Sequence, residues 1–216
     1  MAAPSMSMNK VIHCAVRRDL KRFRAALDAF SDGDRERAAA LHRAWQNFDA
    51  QLTEHHEGEH AIAWPALEAM GVADTSIATF DEEHDRMAAD LAAARASMEQ
   101  LGRTATRADA DAAAAAVAKL ESTTVAHLDH EEQETEPILA ANPDHPAYKQ
   151  MSKQFSRRSG PATAGAFFAW MDDGATAQEK AALRESVPGP VLTIIGGLFG
   201  RKYRKGVAPV WASTSV

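Results

Sequence analysis

One segment of this 216-residue chain is nearly repeated 72 positions later. Residues 55–67 read HHEGEHAIAWPAL, and residues 127–139 read HLDHEEQETEPIL. The shared residues are His55, Glu59, Pro65 and Leu67 in the first copy and His127, Glu131, Pro137 and Leu139 in the second. Side chains four residues apart lie on one face of an α-helix. Each copy therefore presents an imidazole and a carboxylate to one point, which is an arrangement that binds metal ions.

The composition predicts an all-α protein. Alanine is abundant, whereas runs of β-branched and aromatic residues, which are typical of strands, are nearly absent. A chain of 216 residues is long enough for one domain with a sizeable core, with or without a smaller appendage.

Apolar residues spaced by threes and fours predict four long helices. The first follows a disordered stretch at residues 1–8 and is capped by Ser7 or Asn9. The predicted bounds are about 9–30, 34–70, 74–102 and 108–136, so that the fourth helix ends before Pro137. Similar lengths and short loops favour an antiparallel up-down-up-down four-helix bundle over residues 9–140.

The pattern changes after a linker, NPDHP, at residues 142–146. Shorter helices are predicted at about 147–157, 161–173, 176–186 and 190–201, separated by segments rich in glycine and proline. Residues 141–216 are therefore expected to form a smaller helical C-terminal appendage packed on the bundle, with residues 212–216 frayed. No histidine–carboxylate pair lies on a helical face in this part of the sequence.

Six polar residues fall on the apolar seams of the four predicted bundle helices: His13, His55, Glu59, His84, His127 and Glu131. With a rise of about 1.5 Å per residue counted from the connecting loops, all six reach nearly the same level of the bundle. A single buried histidine is usually a hydrogen-bonded core residue. A whole layer of unpaired imidazoles and carboxylates would be costly to bury, so the set predicts a dinuclear metal site. Bridging carboxylates with imidazoles suit iron or manganese better than a structural zinc.

The order of these residues resembles the hemerythrin family, the HHE cation-binding domain. The resemblance covers about residues 9–140 and includes the HHxxE…WPxL wording of the second helix and the HLxxEE…P wording of the fourth. It implies a non-haem di-iron centre with an oxo or hydroxo bridge. The implied ligands are Glu59 and Glu131 as bridges, His13 and His55 on one iron, and His84 and His127 on the other. More weakly, the C-terminal third resembles the tail of actinobacterial members.

One ligand of the oxygen-carrying members of that family is absent. Those members have two histidines one turn apart in the third helix, whereas the position four residues before His84 is Phe80. An iron-sensing ubiquitin-ligase subunit of the same family also has a single histidine there. The sequence is therefore compatible with two irons but disfavours reversible oxygen carriage.

Residues 56–60 also spell HExxH, the zinc-peptidase motif. Its two histidines lie about 100° round the helix from the seam, and no downstream third ligand is evident, so a peptidase is disfavoured. The histidines outside the seams are expected to support the ligands or to lie at the surface; they are His42, His56, His60 and His130. His56 and Glu134 are the first candidates for a further ligand.

Three functions are compatible with such a site. It can belong to an enzyme that decomposes peroxide or reduces nitric oxide, to an oxygen carrier, or to an iron- or oxygen-sensing module that acts through residues 141–216. The incomplete ligand set favours reaction with small oxidants in oxidative or nitrosative stress. The expected partner is a small diatomic or peroxide ligand, and the sequence leaves the choice between enzyme and binding protein open.

Charge and cysteine content limit the other partners. A net charge of −6 disfavours nucleic acid, and the single cysteine, Cys14, excludes an intrachain disulfide and fits a reducing compartment. The longest apolar run, residues 191–199, is too short to span a bilayer, so a cytoplasmic protein is expected. The basic run RKYRK at residues 201–205 is more typical of a solvated helix end than of a lipid contact, and no membrane partner is expected.

Overall fold

The computed structural model describes residues 6–212, and within that range every regular element is a helix. The predicted all-α class is therefore confirmed. The helices of the N-terminal two thirds are α1 Met8–Asp28, α2 Arg35–Gly58, α3 Trp64–Ala69, α4 Asp74–Thr104 and α5 Arg107–Ala141. A π-helical turn, Glu59–Ala63, joins α2 to α3. The four long helices surround a common apolar core, in which α5 packs along α1 and α4, and α2 packs along α4.

Local side-chain hydrogen bonds fix where the long helices begin. Ser7 accepts a hydrogen bond from the backbone N–H of Lys10 at the start of α1, and Asp34 and Thr106 cap α2 and α5 in the same way. Because Ser7 is the cap and Met8 the first helical residue, the predicted disorder over residues 1–8 is wrong for these two positions. Residues 1–5 and 213–216, including most of the predicted frayed end, lie outside the described residues.

The predicted end of the fourth helix is wrong. Helix α5 continues through Pro137 and ends at Ala141. A proline has no backbone N–H, so the carbonyl of Gln133, four residues earlier, loses its helical hydrogen bond. Gln133 is exposed, so water can bind this carbonyl. The following residues, Ile138 and Leu139, pack against a second apolar cluster and hold the last turn in place.

The C-terminal third consists of short helices, as the sequence predicted. They are α6 Pro146–Arg158, α7 Pro161–Asp172, α8 Ala177–Ser186, α9 Gly189–Val191, α10 Gly197–Phe199, α11 Arg201–Gly206 and α12 Pro209–Ala212, with a second π-helical turn, Leu192–Gly196, between α9 and α10. Helices α7 and α8 pack on α1, and α11 and α12 pack on α2. Trp170, Tyr203 and Trp211 join the core of the four long helices, so the apolar core is continuous across the predicted domain boundary at residue 141. The boundary itself stays a prediction.

A buried carboxylate on α1 anchors this C-terminal part. Asp19 is 1% exposed, and its Oδ2 accepts a hydrogen bond of 2.7 Å from the indole of Trp170. Arg22 donates both to Asp19 and to Asp173, and the Tyr203 hydroxyl also donates to Asp173, at 2.9 Å. Buried polar groups that are fully paired fix one relative arrangement of the elements they join.

Within the described residues, no helix is both long enough and apolar enough to cross a membrane.

Candidate metal centre

The six polar residues predicted from the helix seams lie together in one buried layer of the bundle, and none of them is more than 9% exposed. Possible ligand atoms in this layer form two groups, in each of which all atoms lie within 4.8 Å of one another. The first group is His13, His55, Glu59 and Glu131, and the second is His56, Glu59, His84 and His127. We call these seven residues the His/Glu layer.

In the first group, two imidazoles face each other between two carboxylates. His13 Nε2 lies 3.2 Å from His55 Nε2 and 3.3 Å from Glu131 Oε2. His55 Nε2 lies 3.0 Å from Glu59 Oε1. This is the pair of histidines that the sequence assigned to one metal.

The second group repeats this arrangement. His84 Nε2 lies 2.9 Å from His127 Nε2 and 3.4 Å from Glu59 Oε2. Glu131 Oε2 is 3.8 Å from His127 Nε2. Glu59 belongs to both groups and Glu131 contacts a histidine of each, so these two carboxylates occupy the positions between the two sets of imidazoles.

His56 reaches the layer although the helix geometry of the sequence placed it off the seam. Its ring stacks on that of His84, with centroids 4.2 Å apart, and its Nε2 is buried without a hydrogen-bond partner. His56 therefore adds an imidazole to the second group. This is the group of His84, whose helix α4 has Phe80 and not a second histidine one turn earlier. The only indication of this in the sequence is that His56 is adjacent to His55, because His56 does not lie on the apolar seam of its helix.

Four buried polar atoms of the layer have no hydrogen-bond partner among the described residues. They are Nε2 of His56, both carboxylate oxygens of Glu59, and Oε2 of Glu131. A buried acceptor without a partner costs about 1–3 kcal/mol, and more when it is charged. Nitrogen pairs 3.2 and 2.9 Å apart suit two ligands bound about 2.0–2.1 Å from one ion. These residues fit a metal centre.

Burial sets the protonation of the layer. Burial and the neighbouring imidazoles lower the pKa of His55 well below its usual value and lower the pKa of His56 to about 3. Burial and the charge of Glu131 raise the pKa of Glu59, whereas His13 holds the pKa of Glu131 below its usual range in spite of burial. His55 and His56 are therefore neutral at pH 7, which is the form of imidazole that binds a metal.

Carboxylates outside the layer hold two of the histidines in orientation. Glu132 Oε1 lies 3.0 Å from His13 Nδ1, and Glu83 Oε2 lies 2.9 Å from His127 Nδ1. Arg17 donates to Glu132, so that carboxylate is itself held in place. A metal-binding histidine usually donates its second ring N–H to such an acceptor. The seam pattern does not predict either carboxylate, although each is adjacent in sequence to a residue of the layer.

A third group of possible ligands, His60, Asp81 and His84, lies at the edge of the layer. The His60 and Asp81 side chains are 47% and 46% exposed, and His60 Nδ1 lies 3.1 Å from Asp81 Oδ1. His60 Nε2 lies 3.0 Å from His84 Nδ1. If His84 held a metal through Nε2, its Nδ1–H would donate a hydrogen bond to His60, whose own N–H would donate to Asp81. This group can therefore orient His84.

The π-helical turn lies directly at the layer, because Glu59 is its first residue. Pro65 has no N–H with which to close an α-helical turn on Ala61, and the Trp64 N–H donates to the Glu59 carbonyl five residues back. Trp64 then donates its indole N–H to Asp81 of α4 at 2.8 Å. The turn before Pro65 is thus widened, and it presents Glu59 to both groups.

The other candidate for a further ligand, Glu134, does not join the layer, and neither do His42 and His130. Glu134 is exposed and accepts a hydrogen bond from Ser76, so it is not a further ligand. His42 lies beside Gly102, away from the layer, and His130 shares Glu83 with His127, as expected of a supporting residue. The two histidines of the HExxH motif fall in different groups of possible ligands, which agrees with the rejection of a peptidase site.

Aromatic side chains close one side of the second group. Trp64 stacks on His84 with centroids 5.6 Å apart, and Phe80 meets His127 edge-on at 6.0 Å. Phe80 is fully buried and Trp64 is 4% exposed. These rings exclude water from the imidazoles that they contact.

A family model, the hemerythrin HHE cation-binding domain, matches residues 10–139. No curated protein and no solved structure matches the chain. The matched residues include the whole His/Glu layer and end two residues before the end of α5.

Proposed function

Because the chain belongs to the hemerythrin family of HHE cation-binding domains, we propose that its His/Glu layer holds two iron ions and that the protein binds or reacts with small oxidants. The oxidants that suit such a centre are hydrogen peroxide, oxygen and nitric oxide. We place this activity in the response to oxidative or nitrosative stress.

One observation carries the proposal: two groups of imidazoles share the buried carboxylate of Glu59, and neither of its oxygens has a hydrogen-bond partner among the described residues. Two carboxylates placed between imidazoles are typical of paired redox metals and are unusual for a structural zinc. The family match supports a cation in this position.

In the proposed site, His13 and His55 bind one ion. The other ion is bound by His56, His84 and His127, and Glu59 and Glu131 lie between the two sets of histidines. The iron pair supplies the redox chemistry toward the bound oxidant. The chain's own contribution is to hold the imidazoles in orientation. Glu132, Glu83 and the His60–Asp81 pair do this through the second nitrogen of their histidines.

The first experiment is metal analysis with a visible spectrum of the protein as isolated. We expect about two irons per chain and near-ultraviolet absorption that is lost when the iron is removed. Added hydrogen peroxide should be consumed by the iron-loaded protein and not by the iron-free protein. One zinc per chain and no iron would contradict the proposal.

A second candidate, metal sensing, rests on the contacts of α1. This helix carries His13 and, less than two turns later, Arg18 and Asp19, which bind the C-terminal part. A shift of α1 on metal loss would therefore reach residues 141–216. Limited proteolysis with and without metal tests this: metal-dependent cleavage after residue 141 favours sensing, and identical cleavage excludes it.

A further inference from the structure

Exposed large apolar side chains are concentrated at one place in the C-terminal third. Five such side chains occur in the described part of the chain, and four of them lie within residues 191–199. They are Val191, Ile194, Leu198 and Phe199, at 38%, 56%, 62% and 42% exposure. A cluster of this kind marks an interaction site more often than scattered exposed residues do.

The exposed side chains follow a helical stripe. Val191, Ile194 and Leu198 are spaced by three and four residues, and the same spacing continues to Arg201, Lys202 and Lys205. We call these six residues the C-terminal stripe. It runs from α9 through the second π-helical turn and α10 into α11, with an apolar first half and a cationic second half.

Tight packing fixes the direction in which the stripe points. The other face of this segment lies against α7, where a Cβ added to Gly165 would collide with Phe199 and with the Ile195 carbonyl. A Cβ added to Gly200 would collide with the backbone of Gly196 and the side chain of Ala169. Contacts this close leave no room for the segment to turn its apolar side chains inward.

The cations of the stripe have no acidic partner. Arg201, Lys202 and Lys205 are exposed and form no ion pair within the described residues. The neighbouring Arg204 is occupied, because its guanidinium donates to the carbonyls of Gly196 and Gly197. Residues 189–206 contain no Asp or Glu, although the whole chain has a net charge of −6. This face is therefore positive on an acidic protein.

We propose that the C-terminal stripe docks the protein on an anionic lipid surface. The apolar side chains enter the boundary between headgroups and acyl chains, and the three cations bind lipid phosphates. The sequence alone favoured a solvated helix end. The three exposed apolar side chains of the stripe, held outward by the packing of the segment on α7, favour a lipid contact instead.

A second copy of the chain fits the stripe less well. Symmetric pairing through the stripe would bring two sets of three cations together, or would place each set on the apolar half of its partner. The first arrangement is repulsive, and the second buries unpaired charge. Anionic lipid satisfies both halves of the stripe at once.

Vesicle sedimentation of the full-length protein tests the proposal independently of the metal centre. The native protein should bind vesicles of phosphatidylglycerol and phosphatidylcholine, and should bind pure phosphatidylcholine vesicles much less. The triple variant Arg201→Gln, Lys202→Gln, Lys205→Gln should bind the anionic vesicles about a hundredfold less tightly. Leu198→Asp should also weaken binding and should keep the native helicity, because the side chain is exposed.

The matched control is Arg35→Gln, Arg43→Gln, Arg86→Gln, which makes the same change in net charge at exposed positions on α2 and α4. It should bind anionic vesicles within about threefold of the native protein. No binding, equal binding to both vesicle types, or equal losses in the two triple variants would overturn the proposal. So would a dimer in sedimentation equilibrium that Leu198→Asp dissociates, because the stripe would then be a contact between copies.

Discussion

His56 of α2 brings an additional imidazole to the second group of the His/Glu layer. Its ring stacks on His84, while Phe80, one turn before His84, forms part of the apolar wall beside His127. We propose that His56 serves in place of the histidine that α4 lacks at position 80. The second group of the layer has four possible ligands, like the first.

A ligand exchange between helices tests this substitution. His56→Ala should lower the bound metal from two toward one per chain, because the second group loses an imidazole with an otherwise unpartnered Nε2. Adding Phe80→His should restore part of the second metal, at a packing cost of about 1–3 kcal/mol. Metal content and urea unfolding are measured for both variants. The control is His42→Ala, and His56→Ala protein with two tightly bound metals would rule out a ligand role.

Glu59 and His60 are adjacent in sequence but have different roles. Glu59→Ala removes the carboxylate shared by both groups and should abolish binding of the metal pair. His60→Ala removes only the partner of His84 Nδ1 and should weaken metal binding about 10–100-fold. Competition with a chelator measures both affinities. The assignment fails if His60→Ala loses metal completely while Glu59→Ala retains it.

At the scale of elements, the two copies of the repeat have different backbones. The first copy contains a π-helical turn before Pro65, whereas the second runs as an α-helix through Pro137. In the second copy, the Thr135 hydroxyl donates to the Glu131 carbonyl at 2.8 Å. The repeat in the sequence therefore preserves the positions of the ligands and not the local helix geometry.

Replacing each proline tests the importance of the widened turn. Pro65→Ala restores an N–H that can close an α-helical turn, so it should move Glu59 and lower the affinity for metal. Pro137→Ala makes the same chemical change in a turn that is already α-helical and should leave metal binding unchanged. Isothermal titration with metal ions distinguishes the two variants. Equal metal affinity in both would show that the turn does not control the site.

Tyr203 makes docking of the C-terminal elements dependent on pH. Burial and the nearby Asp19 and Asp173 raise the pKa of its hydroxyl above the usual value. Above about pH 10, the unfolded chain loses the hydroxyl proton of this tyrosine while the folded protein still keeps it. The contribution of Tyr203 to the free energy of unfolding is therefore lost as the pH rises further. Tyr203→Phe should cost about 1–3 kcal/mol at pH 7 through the lost hydrogen bond to Asp173.

Urea unfolding at pH 7 and at about pH 10.5 measures this dependence. The difference in the free energy of unfolding between the native protein and Tyr203→Phe should shrink at the higher pH. A difference that stays constant would show that Tyr203 titrates alike in the folded and unfolded chains.

For the whole molecule, we expect metal binding to be coupled to folding. Without metal, both oxygens of Glu59 and one of Glu131 stay buried without hydrogen-bond partners. Free metal at about a thousandfold above its dissociation constant should stabilise the fold by about 4 kcal/mol, which raises the melting temperature by about 8–16 °C. Calorimetry before and after chelation measures this shift. In Glu59→Ala, the shift should largely disappear, and a full shift in that variant would place the metal elsewhere.

The sequence by itself determined the all-α class and the convergence of six polar residues on one level. Both depend on local geometry, because the period and rise of an α-helix fix which side chains share a face and how far along they lie. The family followed from the same residues. Ser7 was one of the two caps that the sequence offered for the first helix, since a capping side chain bonds to a backbone N–H only a few residues further along the chain.

Only the tertiary structure decided which other residues reach the layer. His56 lies off the seam of its own helix, and it joins the second group because the ring of His84 packs against it from α4. The pairing of His60 with Asp81 and the continuous core around Trp170 likewise join residues far apart in the chain. Such contacts depend on how helices pack against each other, and helical periodicity describes one helix at a time.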